Sequence, residues 1–329
     1  MEKLYKIVID TKGSDNGPSE IIKGASLALE AYENLAVVLV GDEDIIREEC
    51  EKLGTPPSRV EIIDSPEEIT NYDSPAVALF EKPNSSMVRA LAHLSTAEDT
   101  LGLITAGNTG ALIAGSLRYL SGKDRVRPAL SAVLPAANGS FTCLVDTGAT
   151  IDCPAATLLH FARLGSEFMK NTYRIENPRV GLLSNGAEPT KGNRVVKEAH
   201  ALLREATDIN FVGNIEGNTA LSGDCDVLVC DGFAGNQVLK VSEGMAKRLI
   251  TDIVKYAKRT GNMEIMKLVE HLMGIYDFGS LGGGIILGCT KPVIKTRGNA
   301  GAKAIVSTAG MLINMAENKE VFDKTKNTV

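Results

Sequence analysis

A chain of 329 residues is long enough for one large α/β domain or two closely connected lobes. Its hydrophobic fraction of 44% and charged fraction of 23% are those of an ordinary globular protein, while a net charge of −6 without tryptophan argues against a general nucleic-acid binder. No apolar run approaches the roughly 18 residues of a membrane span, no signal-peptide pattern precedes the first strand-like segment, and the six cysteines contain no C-x-x-C pair, so a cytoplasmic protein with reduced thiols is expected.

Residues 6–10 read as a first strand, residues 11–17 as a glycine-bearing loop, and Pro18 as the first turn of a helix reaching about Glu33. Asp10, Gly13 and Asp15 then stand at or just beyond the carboxyl end of a strand, where open α/β sheets put their chemistry. Asp15 equally suits a helix cap. A second strand covers 35–41, a helix follows through Lys52, and a third strand covers 60–64. Turns at 71–75 and 82–87 each open a helix, where the hydroxyls of Ser85 and Ser86 either cap it or donate to an anion.

Residues 101–105 form a short apolar run and 111–120 have helical composition, with Ala-Gly-Asn-Thr-Gly between them. Gly107 and Gly110 leave no side chain between a ligand and the main chain, and the following helix aims free N–H groups and its positive dipole end at the loop. Asn108 and Thr109 lie within the turn as candidate site residues. Such a turn binds phosphate, although strand–glycine–helix is also the generic joint of an α/β protein.

The joint recurs. Residues 131–134 and 142–146 predict a hairpin, Asp146 opens a second glycine turn, and a helix runs from Pro154 to about Leu164. Strand 179–183 leads through Lys191, Gly192 and Asn193 to helix 194–205. A lysine at a helix N-terminus opposes the dipole unless an anion lies between them. Strand 210–212 precedes Gly213, and strand 226–230 runs into Asp231, Gly235 and Asn236 at the start of another helix. Strands alternating with helices imply a largely parallel sheet covered on both faces.

Residues 242–276 predict an amphipathic helical hairpin broken at 260–262, with Met245, Leu249, Ile250, Ile253 and Val254 on one stripe. Lys247, Arg248, Lys255, Lys258 and Arg259 against Glu243 and Asp252 make the first helix locally +3. Such a surface docks an acidic partner or an anionic lipid face, or is the solvated side of a dimer or core hairpin. Leu281 and its three glycines lead to strands 285–289 and 292–295, a loop containing Arg297, and a helix over 302–315.

No GxGxxG fingerprint, P-loop, metal-ligand spacing or Ser–His–Asp set is legible. What remains is glycines, asparagines, hydroxyls, carboxylates and a few cations: a site that positions phosphate without an evident nucleophile of its own.

Asp73-Ser-Pro, Asn84-Ser-Ser-Met, Ala106-Gly-Asn-Thr-Gly-Ala-Leu, Asp146-x-Gly-Ala, Lys191-Gly-Asn, Phe211-Val-Gly-Asn-x-Glu-Gly and Cys230-Asp-Gly-Phe-x-Gly-Asn occur in the order and spacing of the bacterial phosphate acyltransferase family, PlsX. The chain resembles that family over essentially its whole length. The resemblance implies a three-layer α/β/α fold with a large, mostly parallel sheet, similar to phosphotransacetylases and to isocitrate and isopropylmalate dehydrogenases, and usually dimeric. It implies conversion of acyl-[acyl carrier protein] and inorganic phosphate to acyl phosphate and free carrier protein, feeding glycerophospholipid synthesis, with phosphate a substrate and no cofactor. On that reading the turns at 107–110 and 235–236 bind the anion, Lys191 stabilises charge, and Ser85 and Ser86 donate. Asp10, Asp146 and Asp231 orient those donors or handle the thiol proton. The +3 helix takes an acidic carrier protein or rests on the inner face of a membrane, for hand-off to a membrane acyltransferase. The chain departs from the family pattern at Gly13-Ser-Asp-Asn-Gly-Pro, at Phe80, and at Arg297-Gly-Asn-Ala-Gly, where the family has a histidine and an acid. Alternatives are phosphate-dependent transfer from acyl-CoA or from a thioester on Cys289, and a non-catalytic docking protein.

Overall fold

The computed structural model describes residues 4–122, 126–276 and 283–326; residues 1–3 and the Leu281-Gly282 start of the glycine run lie outside them. In chain order come β1 (Tyr5–Asp10), α1 (Pro18–Ala31), β2 (Leu35–Gly41), α2 (Glu43–Leu53), β3 (Val60–Asp64), α3 (Pro75–Glu81), α4 (Ser86–Thr96), β4 (Thr100–Thr105) and α5 (Thr109–Tyr119). Next are β5 (Ala129–Pro135), β6 (Phe141–Val145), α6 (Ala155–Tyr173), β7 (Arg179–Ser184), α7 (Arg194–Glu205), β8 (Asn210–Glu216) and β9 (Val227–Val229). The chain ends through α8 (Gly232–Thr260), α9 (Met263–Tyr276), β10 (Gly284–Leu287), β11 (Val293–Lys295) and α10 (Ala302–Lys326). It divides into two compact units, Met1–Ala129 with Gly279–Val329, and Leu130–Phe278.

In the first unit the strands lie in the order β3-β2-β1-β4-β11-β10. All pair in parallel except β10, which runs antiparallel to β11. β2 is a continuous apolar run because every one of its residues is buried, as expected of a parallel strand covered on both faces. Each such Val, Leu or Ile contributes about 1.5–3 kcal/mol by leaving water. β1 has β2 on one side and β4 on the other, so the connections leave its carboxyl end in opposite directions and open a crevice there.

In the second unit the order is β5-β6-β9-β7-β8. β5 and β6 form the expected antiparallel hairpin and the rest pair in parallel. The carboxyl ends of β6, β7 and β9 therefore share one edge. Leu134, Leu144, Ile215, Leu228 and Cys230 are among the buried residues packed beneath it.

Four elements differ from the sequence reading, and one is the last helix, where α10 runs past 315 to Lys326. α6 runs nine residues past Leu164 to Tyr173, because Gly165 does not end it: a Cβ there would stand 2.5 Å from Val227 Cγ1 and 3.2 Å from Val145 Cγ1, so the glycine lets the helix lie close on the sheet. β8 continues through Gly213 to Glu216. Gly213 takes φ +103° where the pairing register with β7 shifts, a bulge rather than a strand end. The hairpin's first helix is the continuation of the one that starts after Asp231: α8 is 29 residues long and turns into α9 at Gly261, φ +65°.

Candidate functional site

In the first unit three loops meet at the carboxyl edge of β1, β4 and β11. Gly13, at φ +78°, approaches Gly107 so closely that a Cβ on it would lie 2.4 Å from the Gly107 Cα. The loop after β11 is stitched to the loop after β1 by Asp15 N–H to Gly298 O (2.8 Å), Ser14 Oγ to Gly298 O (3.1 Å) and Asn16 Nδ2 to Asn299 O (3.1 Å). Arg297 is half-buried beside these contacts. Asp10, fully buried, organises the cluster. Its Oδ2 accepts from Thr105 Oγ1 (2.8 Å) and its Oδ1 from the Lys12 amide (3.1 Å), and Ser86 adds a further hydrogen bond. Burial pushes the Asp10 carboxyl up to about 6, against the pull of these donors. Thr105 Oγ1 in turn accepts from Gly107 N–H (3.0 Å), so the carboxylate acts on the glycine turn through one hydroxyl.

Asn108 caps α5: its Oδ1 accepts from Ala111 N–H (3.0 Å) and its Nδ2 donates to Thr70 O (3.0 Å). Both ends of the amide are thereby fixed, and Pro75 packs where a Gly110 side chain would be. The amides of Thr109 and Gly110 have no acceptor among the described residues, leaving two donors at a helix N-terminus in the crevice. Ser85 and Ser86 are buried; Ser86 is spent on Asp10 and Ser85 Oγ has no partner among the described residues. Lys295 and Lys12, which the sequence did not single out, tie the same loops together. Lys295 Nζ donates to Ala106 O (2.9 Å) and Lys12 Nζ to Pro66 O (2.6 Å).

In the second unit the Asp146 carboxylate, with no solvent exposure, takes four backbone N–H groups: Leu130 (3.0 Å), Gly148 (3.2 Å), Ala149 (3.0 Å) and Thr150 (2.6 Å). Burial raises its pKa while these donors oppose the rise. Gly232 and Gly235 press the start of α8 onto this knot; a Cβ on Gly235 would stand 1.9 Å from Asp146 O. Gly235 thus lies within the first turn of the helix, and Asn236 follows half-buried. Asp231 caps α8 through Oδ1 to Ala234 N–H (2.7 Å), and its other oxygen has no partner among the described residues. Gly192, at φ +100°, donates to Asn185 Oδ1 (2.8 Å), and Asn193 caps α7 through Val196 N–H (2.9 Å). Lys191 is exposed and makes no ion pair among the described residues. A cavity of about 660 Å³ opens between Asn193 and Asp231, so the N-termini of α7 and α8 both reach it.

Lys247, Arg248, Lys255, Lys258 and Arg259 are all exposed on α8. Arg248 pairs with Asp252 (2.7 Å) and Arg259 lies over the Tyr256 ring (5.4 Å). Met245, Leu249 and Tyr256 are half or more exposed on the same helix. No helix among the described residues is long and apolar enough to cross a membrane.

A family model described as fatty acid synthesis protein matches residues 5–321. The phosphate acyltransferase of Thermoanaerobacter pseudethanolicus is 38% identical over 320 residues, 95% of this chain and 94% of that protein. The phosphate acyltransferase of Halothermothrix orenii is 41% identical over 309 residues, 91% of each. A phosphotransacetylase from Streptococcus pyogenes superposes with a TM-score of 0.61 at 18% identity, over 97% of this chain and 95% of its own, a likeness of fold. Matched from β1 into α10 by the family model and over more than nine tenths of both relatives, the chain belongs to the fatty acid synthesis protein family and is an acyltransferase of the phosphate acyltransferase kind.

Proposed function

We propose that the enzyme transfers an acyl group from the thioester of an acyl carrier protein to inorganic phosphate, and that the acyl phosphate feeds glycerophospholipid synthesis. The observation that carries this reading is the pair of unoccupied amides, Thr109 and Gly110, on a turn held by the buried Asp10–Thr105–Gly107 chain of hydrogen bonds. That arrangement favours an anion and brings no nucleophile of its own. Phosphate is the nucleophile: one of its oxygens bonds to the carbonyl carbon, the carbon–sulfur bond breaks, and the proton of hydrogen phosphate ends on the released thiol. Holding phosphate against the carbonyl makes the encounter effectively unimolecular, and N–H groups and cations stabilise the oxyanion. Asp10 and Asp146 act by orientation, since their oxygens are filled by donors. Asp231, with one oxygen unpartnered among the described residues, would relay the thiol proton. Lys191, exposed and without an ion pair among the described residues, neutralises developing charge.

Acyl carrier proteins are acidic, and the exposed lysines and arginines of α8 suit such a partner. The same surface, with Met245 and Leu249 exposed beside it, suits an anionic membrane face, where a homodimer at the cytoplasmic side would hand its product to a membrane acyltransferase. A thioester on Cys289 is disfavoured, because burial pushes that thiol up to about 12. The test is incubation with long-chain acyl-carrier protein with and without phosphate, following acyl phosphate by mass spectrometry. Phosphate-dependent product that falls about 10²-fold in Lys191→Ala is expected. Product from acyl-CoA but none from carrier protein would overturn the choice of donor.

A further inference from the structure

The cavity in the second unit is graded from apolar to polar. At its closed end Leu182 is 0%, Leu158 2% and Cys230 3% exposed. At its open end stand Asn185, Asn193 and Phe233, the last 60% exposed. Ser184 lines it with a hydroxyl that is buried and has no partner among the described residues. Two helix N-termini, capped at Asn193 and Asp231, reach the mouth, and Lys191 precedes Gly192 there. A volume of about 660 Å³ lies within the range of small-molecule sites. The shape and chemistry suit one kind of ligand: a single apolar chain that enters first, with a polar or anionic head left at the mouth beside donors and a cation.

We propose that this cavity is the acyl-tail site, with Leu158 at its closed end setting the chain length that fits. The proposal rests on the acyl-transfer reading above for the identity of the ligand, and on the cavity alone for its place. The Ser184 hydroxyl, without a partner among the described residues, would donate to the carbonyl oxygen of the seated chain.

The test is titration calorimetry of the full chain with a series of n-alkyl phosphonates, non-reactive mimics of an acyl phosphate. Affinity should rise about fourfold per added methylene while the tail is being buried, then level off once the cavity is full. Leu158→Phe should move the plateau to shorter chains and Leu158→Val to longer ones. The opposite directions separate an effect on length from a general loss of stability. No rise with chain length, or a plateau that both variants leave in place, would overturn the proposal. Acyl phosphate formation is followed separately with a short-chain thioester. Phosphate-dependent product without chain-length-dependent binding would sink the tail site alone, and chain binding without product from any thioester would sink the transfer reading instead.

Discussion

The clearest test of how α8 is anchored is a pair of glycine-to-alanine changes within that one helix. At Gly235 the new Cβ would lie 1.9 Å from the carbonyl oxygen of Asp146, 2.8 Å from Cys230 Sγ and 3.0 Å from the Asp146 carbonyl carbon. The nearest atoms are backbone and cannot rotate aside; the helix would have to retreat by about 1 Å to reach even a tight 3.0 Å contact. Overpacking of this kind costs about 1–3 kcal/mol, at times more, while alanine's helix preference returns about 1 kcal/mol. With a backbone clash the upper end applies, and Gly235→Ala should lose about 2 kcal/mol net. At Gly244, exposed in the same helix, nothing lies within 4 Å of the added Cβ, so Gly244→Ala should gain about 0.5–1 kcal/mol. Urea unfolding followed by circular dichroism reads both. Acyl phosphate formation should fall in Gly235→Ala, because the Asp146 knot must shift. A Gly235→Ala protein as stable as Gly244→Ala would refute the close packing of α8 on Asp146.

Asp10 makes stability fall as pH rises. Its folded-state pKa, raised by burial from 3.8 to about 6, means the folded chain holds a proton that the unfolded chain releases. The stabilisation is complete below about pH 4 and lost through about pH 6, at about 1.4 kcal/mol per unit or about 3 kcal/mol in all. Asp10→Asn should remove that share of the pH dependence, and parallel urea curves for the two proteins at about pH 4 and pH 7.5 would count against it. Cys289→Ser should keep turnover near wild type; abolished turnover would revive the enzyme-bound thioester. Asp226, 5% exposed, accepts from Arg179 Nη2 (2.8 Å) and from its backbone N–H (2.7 Å). Asp226→Ala should therefore cost about 1–3 kcal/mol in unfolding experiments by leaving the backbone donor unpaired and Arg179, 40% exposed, without its carboxylate, and a loss below 1 kcal/mol would show that the pair is solvated.

What could be read from the chain in advance follows from where the controlling forces are local. The strand–glycine–helix joints were legible because an apolar run, a turn residue and a capping side chain are all neighbours in sequence; Asn108, Asn193 and Asp231 each cap the helix they precede. The misread elements turn on distant contacts. The helix reading stops at Leu164, just before Gly165, whose partners Val227 and Val145 are far away in the chain, and Gly213 marks a bulge that only β7 defines. The same holds for the site. Asp10 and the 107–110 turn could be named, but their union depends on β1 pairing with β4 and on β11 pairing with β4 nearly two hundred residues later. Lys295 ends a short strand with no motif around it, so its place follows only from the Ala106 carbonyl it meets. A hydroxyl two residues before the first glycine, Thr105, was a usable signal, since it alone lets a buried carboxylate reach the turn amide. Gly13 and Gly192 both take a positive φ, but Gly13 must also admit the Gly107 backbone, and no local pattern shows that second demand.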